Sequence, residues 1–176
     1  AYDGVLTLPS ECQPPRGIFL QWSTIVAQIE EDNEFLNSKI AEVFTLYRQH
    51  GIHPILLKGQ AVAQNYRNPL HRNSGDIDLY IGEEDYDKAN AILRQESTRE
   101  SEENNKHASI TWRGVTIENH RIMTHLNAPA SNKFFNRSLR EWFPQGSRKL
   151  DIHGFTADVC PLEFDATFVL IHSVLH

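Results

Sequence analysis

The chain has 176 residues, of which 40% are hydrophobic and 23% charged, and a formal net charge of −6. That length and mix describe about one globular domain with enough chain to bury a real core. They exclude a bilayer-spanning segment, which needs roughly 18 consecutive apolar residues, and the acidic balance argues against a long nucleic-acid partner, which needs a basic footprint.

Residues 1 to 17 are punctuated by Pro9, Pro14, Pro15, Gly4 and Gly17 and read as an irregular lead-in without the pattern of a signal peptide. From Ile18 to about His50 the apolar residues recur at helical spacing, as in Ile25, Ile29, Leu36, Ile40, Val43 and Leu46. Asn33, followed by Glu34, is placed to cap the second of two helices, and Gly51 to end it. The short apolar run Ile52-His53-Pro54-Ile55-Leu56-Leu57 predicts a strand. It ends at Lys58-Gly59 and leads into a helix reaching roughly Tyr66. Asn68-Pro69 breaks that helix, and a polar loop through Arg72, Asn73 and Ser74 delivers the chain to a strand at Asp76.

Beyond that strand, residues 83 to 95 predict a helix with Tyr86, Ala89, Ile92 and Leu93 on one face. Residues 96 to 106 are a charged run expected to form a solvated loop. Two strands follow, at 107 to 112 and 115 to 122, joined by the tight Arg113-Gly114 turn. A helix over 131 to 143 carries Phe134, Phe135, Trp142 and Phe143. Its aromatics, like Trp112, are expected in the core rather than as platforms for a base. Two short strands in 148 to 160 turn at Gly154, and Pro161 opens a last helix that has no stop signal. With no Met at the start, the chain reads as a truncated piece or one lobe of a longer protein. It divides into an N-terminal helical segment (1–50), a core (51–160) and the start of a helical C-terminal part (161–176). Cys12 and Cys160 lie far apart without a companion motif and read as thiols of a reducing compartment, so the expected location is cytoplasmic.

The chemistry concentrates in Gly75-Asp76-Ile77-Asp78-Leu79-Tyr80. On a strand, residues two apart point to one side, so Asp76 and Asp78 project together while Ile77 and Leu79 turn into the core. Two carboxylates that close stay ionised cheaply only with a cation between them, and a divalent ion is the economical one. Val115-Thr116-Ile117-Glu118-Asn119-His120 repeats the pattern with Glu118 and His120. If the two strands are neighbours, Glu118 completes a triangle of carboxylates suited to magnesium. Otherwise Glu118 and His120 are the exposed face of a sheet edge. Gly59 allows a phosphate to approach the backbone, and Lys58 adds a mobile positive charge.

Leu57-Lys58-Gly59, Gly75-Asp76-Ile77-Asp78-Leu79 and Glu118-Asn119-His120 resemble the nucleotidyltransferase superfamily that shares the polymerase-beta palm. The likeness is strongest to its branch of poorly characterised bacterial nucleotidyltransferases, and Arg72 stands at the matching place before Gly75. The resemblance covers roughly residues 50 to 176. It implies an α+β fold, a mixed sheet flanked by helices with an N-terminal helical segment, and transfer of a nucleoside monophosphate from a triphosphate (NTP) to an unknown acceptor. It implies that Asp76, Asp78 and Glu118 hold one or two Mg2+ ions, and that Lys58, Gly59, Gly75 and Arg72 serve the nucleotide. One departure stands out. The superfamily has Gly-Ser or Gly-Gly after the first strand, whereas Gly59 is followed by Gln60, which removes a hydroxyl contact to phosphate. A catalytically degenerate binding or regulatory module, and a metal-dependent phosphohydrolase using water, are therefore the alternative readings. His107 and His120 could line an acceptor pocket. His172 and His176, one helical turn apart, have zinc spacing but fit packing on an apolar helix better.

Overall fold

The computed structural model describes residues 2–97, 102–103, 107–123 and 128–175; for 102–103, 136, 139–146 and 172–175 it describes the backbone only. The expectations for Trp142, Phe143, His172 and His176, and for most of the charged run before Lys106, fall outside the described side chains. The helices are α1 (Tyr2–Val5), α2 (Arg16–Gln49), α3 (Gly59–Ala63), α4 (Tyr86–Arg94), α5 (Pro129–Gly146) and α6 (Leu162–Leu175). The strands are β1 (Ile55–Leu57), β2 (Asp76–Tyr80), β3 (Glu102–Glu103), β4 (His107–Trp112), β5 (Val115–His120), β6 (Arg148–Ile152) and β7 (Phe155–Val159). Together they form an α+β fold around one seven-stranded mixed sheet in the order β3-β4-β5-β2-β1-β7-β6.

Two expectations are corrected here. The lead-in is not wholly irregular, since α1 and a 3-10 turn at Ser10–Cys12 lie within it. The region from Ile18 to His50 is not two helices but the single 34-residue α2. Nothing between Ile18 and His50 forces a break, because no glycine or proline interrupts the run. Asn33 is consequently not a cap; it lies mid-helix and is 1% exposed. The two halves of α2 differ sharply. Its first half leaves Ile18, Leu20, Trp22 and Ile25 exposed, whereas from Asn33 onward Leu36, Ile40, Val43, Phe44 and Tyr47 form a buried stripe on the sheet. The charged run also holds a structural element, because Glu102 and Glu103 pair with Ser109 and Ala108 as an edge strand.

Alternation on the strands sorts residues between the two faces. Ile77 and Leu79 of β2, Ile110 and Trp112 of β4, and Ile117 of β5 join the α2 stripe in one buried cluster with Tyr86, Ala89 and Leu93 of α4. The opposite face carries a smaller cluster in which Leu57, Met123 and Cys160 pack with Phe135 of α5 and with Phe164 and Phe168 of α6. Trp112 and Phe135 are core as expected, but Phe134 is exposed. The Arg113-Gly114 and His153-Gly154 turns have positive φ at both positions, the two-residue geometry that matches the twist of the flanking strands. Cys12 and Cys160 are both free, the first exposed and the second buried. No helix among the described residues is long and apolar enough to cross a membrane.

Candidate active site

The site lies at the centre of the sheet because β2 and β5 are parallel neighbours. Their register sets Asp76 beside Thr116, Asp78 beside Glu118 and Tyr80 beside His120. On its other side β2 pairs antiparallel with β1, with Leu57 opposite Asp78, so Lys58 emerges next to the carboxylates. The spacing of two in each strand, read from the sequence, becomes a shared face only through this pairing.

The side chains converge on Asp78, which is 4% exposed. Lys58 Nζ donates to Asp78 Oδ1 at 3.1 Å, and His120 Nε2 lies 2.9 Å from the same oxygen. His120 Nε2 is also 3.7 Å from Glu118 Oε2. Donor atoms of Asp78, Glu118 and His120 all lie within 4.8 Å of one another. Asp76, half-buried two residues earlier on β2, is outside that tight set but within electrostatic reach of Asp78, Lys58 and Arg72.

The charges are unevenly compensated. Burial works against the Asp78 charge, yet the His120 hydrogen bond and the Lys58 charge outweigh it and hold the carboxyl below its ordinary range. Burial, and then the neighbouring Asp78 charge, push Asp76 up despite Lys58 and Arg72. The same two causes, in the same order, raise Glu118. Protein cations thus satisfy one carboxylate and leave two under-compensated. Two carboxylates and an imidazole at this spacing fit a divalent ion, and the deficit of positive charge is what such an ion would supply.

The turn after β1 is unusual. Lys58 adopts φ 42°, ψ −137°, and Gly59 follows at φ 33°. Left-handed backbone at a lysine is a local strain that the surrounding structure must impose. A side chain at Gly59 would point toward the Asp76 carbonyl oxygen, 3.7 Å away, which shows how closely this turn approaches the start of β2. Gly75 has ordinary backbone with open space around it. Arg72 donates from Nη1 to Ser74 Oγ. Gln60 is 2% exposed and turns away from the carboxylates to donate to Asn33 Oδ1 at 2.6 Å.

A model for a family described as uncharacterised nucleotidyltransferases matches residues 1–176. The chain belongs to this nucleotidyltransferase family. Its fold is similar to a crystal structure from Thermotoga maritima that carries a provisional nucleotidyltransferase name. The TM-score is 0.53 at 14% identity, over 81% of this chain and 86% of that one. A search of curated proteins returned no match.

Spacing in the sequence groups Asp76, Asp78 and Glu118 with Lys58 nearby. The structure brings Asp78, Glu118 and Lys58 together, leaves Asp76 outside the tight set, and adds His120, to which the spacing gave no firm role. Its signal was visible: His120 stands two residues after Glu118 and therefore shares its side of β5. His107, opposite His120 on β4, brings a second ring to 5.2 Å from it. A separate groove of about 410 Å3 lies on the other face of the sheet, lined by Ala41, Glu42, Thr45, Leu46, Gln49, Trp112 and Arg113. Within it Arg113 Nη1 donates to Glu42 Oε2 at 2.9 Å, and it shares no residue with the carboxylate site.

Proposed function

We propose that this protein is a divalent-metal-dependent nucleotidyltransferase that moves a nucleoside monophosphate from an NTP to a small-molecule or protein acceptor. The observation that carries this reading is the β2–β5 register, which sets Asp78 against Glu118 with Lys58 beside them. Asp76, Asp78 and Glu118 would hold Mg2+, with His120 as a further ligand or as the group that orients Asp78. Held there, such an ion would supply positive charge to the triphosphate and to the departing pyrophosphate.

The chain's own residues do the remaining work. Lys58 and Arg72 bring positive charge to the phosphates, and the strained Lys58-Gly59 turn lets phosphate oxygens approach backbone amides. Glu118, beside the proposed metal, takes the proton from the acceptor hydroxyl as its oxygen bonds to the α-phosphorus. The α–β phosphoanhydride bond breaks, and pyrophosphate leaves with the electron pair. The polar side chains opposite Glu118 and His120, Ser109 and His107 of β4, mark the direction from which an acceptor would come. The imidazole in the donor set makes manganese a reasonable substitute for magnesium. Gln60 is buried against Asn33 and offers no hydroxyl to phosphate, the feature that favours a degenerate binding module as the second reading.

The test is titration of ATP, with Mg2+ or Mn2+ and with a chelator, against the wild type and Asp78→Asn, followed by a search for labelled adduct and pyrophosphate. Metal-dependent binding that vanishes in Asp78→Asn supports the reading. Equal binding in both proteins removes it. Pyrophosphate release with free nucleoside monophosphate and no adduct would instead assign water as the acceptor.

A further inference from the structure

Among the described residues, Asn33 and Gln60 are two of the most completely buried polar side chains, and they bind each other between the two cationic segments of the site. Gln60 directly follows the Lys58-Gly59 turn and is 2% exposed; Asn33 is 1% exposed in the middle of α2. Asn33 Oδ1 accepts from Gln60 Nε2 at 2.6 Å. Its Nδ2 donates to the carbonyls of Leu70 and Arg72, both at 2.7 Å. One short side chain therefore reaches the helix that follows the turn and the backbone of Arg72 itself. Both amide hydrogens of Asn33 are used on the Arg72 loop, and its oxygen on Gln60.

We infer that Asn33 is a positioning residue for nucleotide binding, holding Arg72 and the Lys58-Gly59 turn at a fixed separation through Gln60. The inference rests on the nucleotidyltransferase reading and deepens it. A triphosphate contacted from two segments is held well only if those segments keep their spacing, because a displaced segment forfeits its charge-assisted contacts. An asparagine suits the task because its amide has few rotatable bonds and is fully desolvated, so its bonds are directional and costly to break. A second attachment of the same loop, His71 Nε2 to Glu30 Oε1 at 2.7 Å, lies before Arg72 and leaves the Arg72 carbonyl to Asn33. Gln60, at the place of the superfamily's Ser or Gly, thus has a job directed inward rather than toward phosphate.

The experiment compares Mg·ATP and AMP affinities in the wild type, Asn33→Leu, Gln60→Met and the double variant, each checked for folding by circular dichroism and thermal midpoint. Asn33→Leu is expected to weaken Mg·ATP by about 10- to 100-fold, the loss of a charge-assisted phosphate contact, while AMP binding barely moves, so the ATP-to-AMP preference collapses. A loss of folded protein would lower both affinities together and leave that preference intact. Gln60→Met, which keeps both Asn33 bonds to the loop, is expected to show a smaller loss, and the double variant no more than Asn33→Leu alone. A folded Asn33→Leu with wild-type ATP preference overturns the inference and leaves the proposed function standing. If Asn33→Leu does not fold, a wild-type preference in Gln60→Met overturns it instead. A wild type that does not prefer ATP, or whose binding ignores Asp78→Asn, removes the functional reading and the inference with it.

Discussion

Glu118 and Asn119 are neighbours in the chain and belong to opposite sides of the protein. Asn119 points into the main core, where its Nδ2 donates to Tyr47 Oη at 2.7 Å and Asn90 Oδ1 at 2.9 Å. Burial has pushed the Tyr47 hydroxyl above its ordinary range, so it stays neutral and able to accept that bond. Glu118 points the other way, toward Asp78 and His120, and its charge is left under-compensated. The same contrast holds one strand over, between Leu79 and Asp78. One face of β2 and β5 is packed mainly from apolar side chains, with Asn119 tied to Tyr47 and Asn90, and the other gathers charges that a bound cation would complete. Stability and chemistry are thereby separated by a single residue step along a strand.

That separation can be broken from either side. The largest expected effect is chemical. Glu118→Gln should lower nucleotidyl transfer by more than about 100-fold, beyond the range seen when a group merely supporting a metal ligand is removed. Its thermal midpoint should not fall, because a half-buried carboxylate beside Asp78 is relieved of its charge. Activity and melting curves on the same preparation check both halves, and a midpoint that drops with activity would show that the polar face also carries stability.

Leu79→Ala is the mirror experiment. Leu79 is fully buried, and its truncation should cost about 2–5 kcal/mol in denaturant unfolding. Metal-dependent nucleotide binding per folded molecule should survive. Loss of binding in the folded fraction would mean that the β2 backbone, and with it Asp78, shifts when the core is trimmed.

The smallest effect sharpens the comparison on the α6 side. Asp165 is 4% exposed, and burial pushes its carboxyl up to about 6, with Arg148 at 3.7 Å offsetting only part of the cost. A carboxyl raised in the folded state holds its proton more tightly there than in the unfolded chain. Its stabilising contribution is therefore present below the ordinary value of 3.8 and lost as pH rises through about 6. Asp165→Asn should flatten the stability profile between about pH 4 and pH 7 by on the order of 2 kcal/mol. Superimposable wild-type and variant profiles would show that Asp165 ionises normally.

Much of the site can be read without coordinates, and for a definite reason. Strand periodicity is local, so Asp76, Asp78, Glu118 and His120 declare their shared sides from spacing alone. The two hairpins are equally local, since Arg113-Gly114 and His153-Gly154 need positive φ and contain the glycine that permits it. Asn33 shows where such reading stops. An asparagine followed by a glutamate looks like a helix start, and nothing nearby reveals that its amide is engaged by Leu70, Arg72 and Gln60 from distant parts of the chain. The edge strand at Glu102–Glu103 escaped for a similar reason, because charge and short length hide a pairing that only β4 supplies.

Residue order was enough to say which side chains could act together on each strand, because alternation and turn geometry are properties of a few consecutive residues. It could not say which strands would lie side by side, nor that Lys58 and His120 would meet on one oxygen of Asp78. Those contacts join segments 20 and 42 positions apart, and only the packing of the whole sheet against α2 brings them into register.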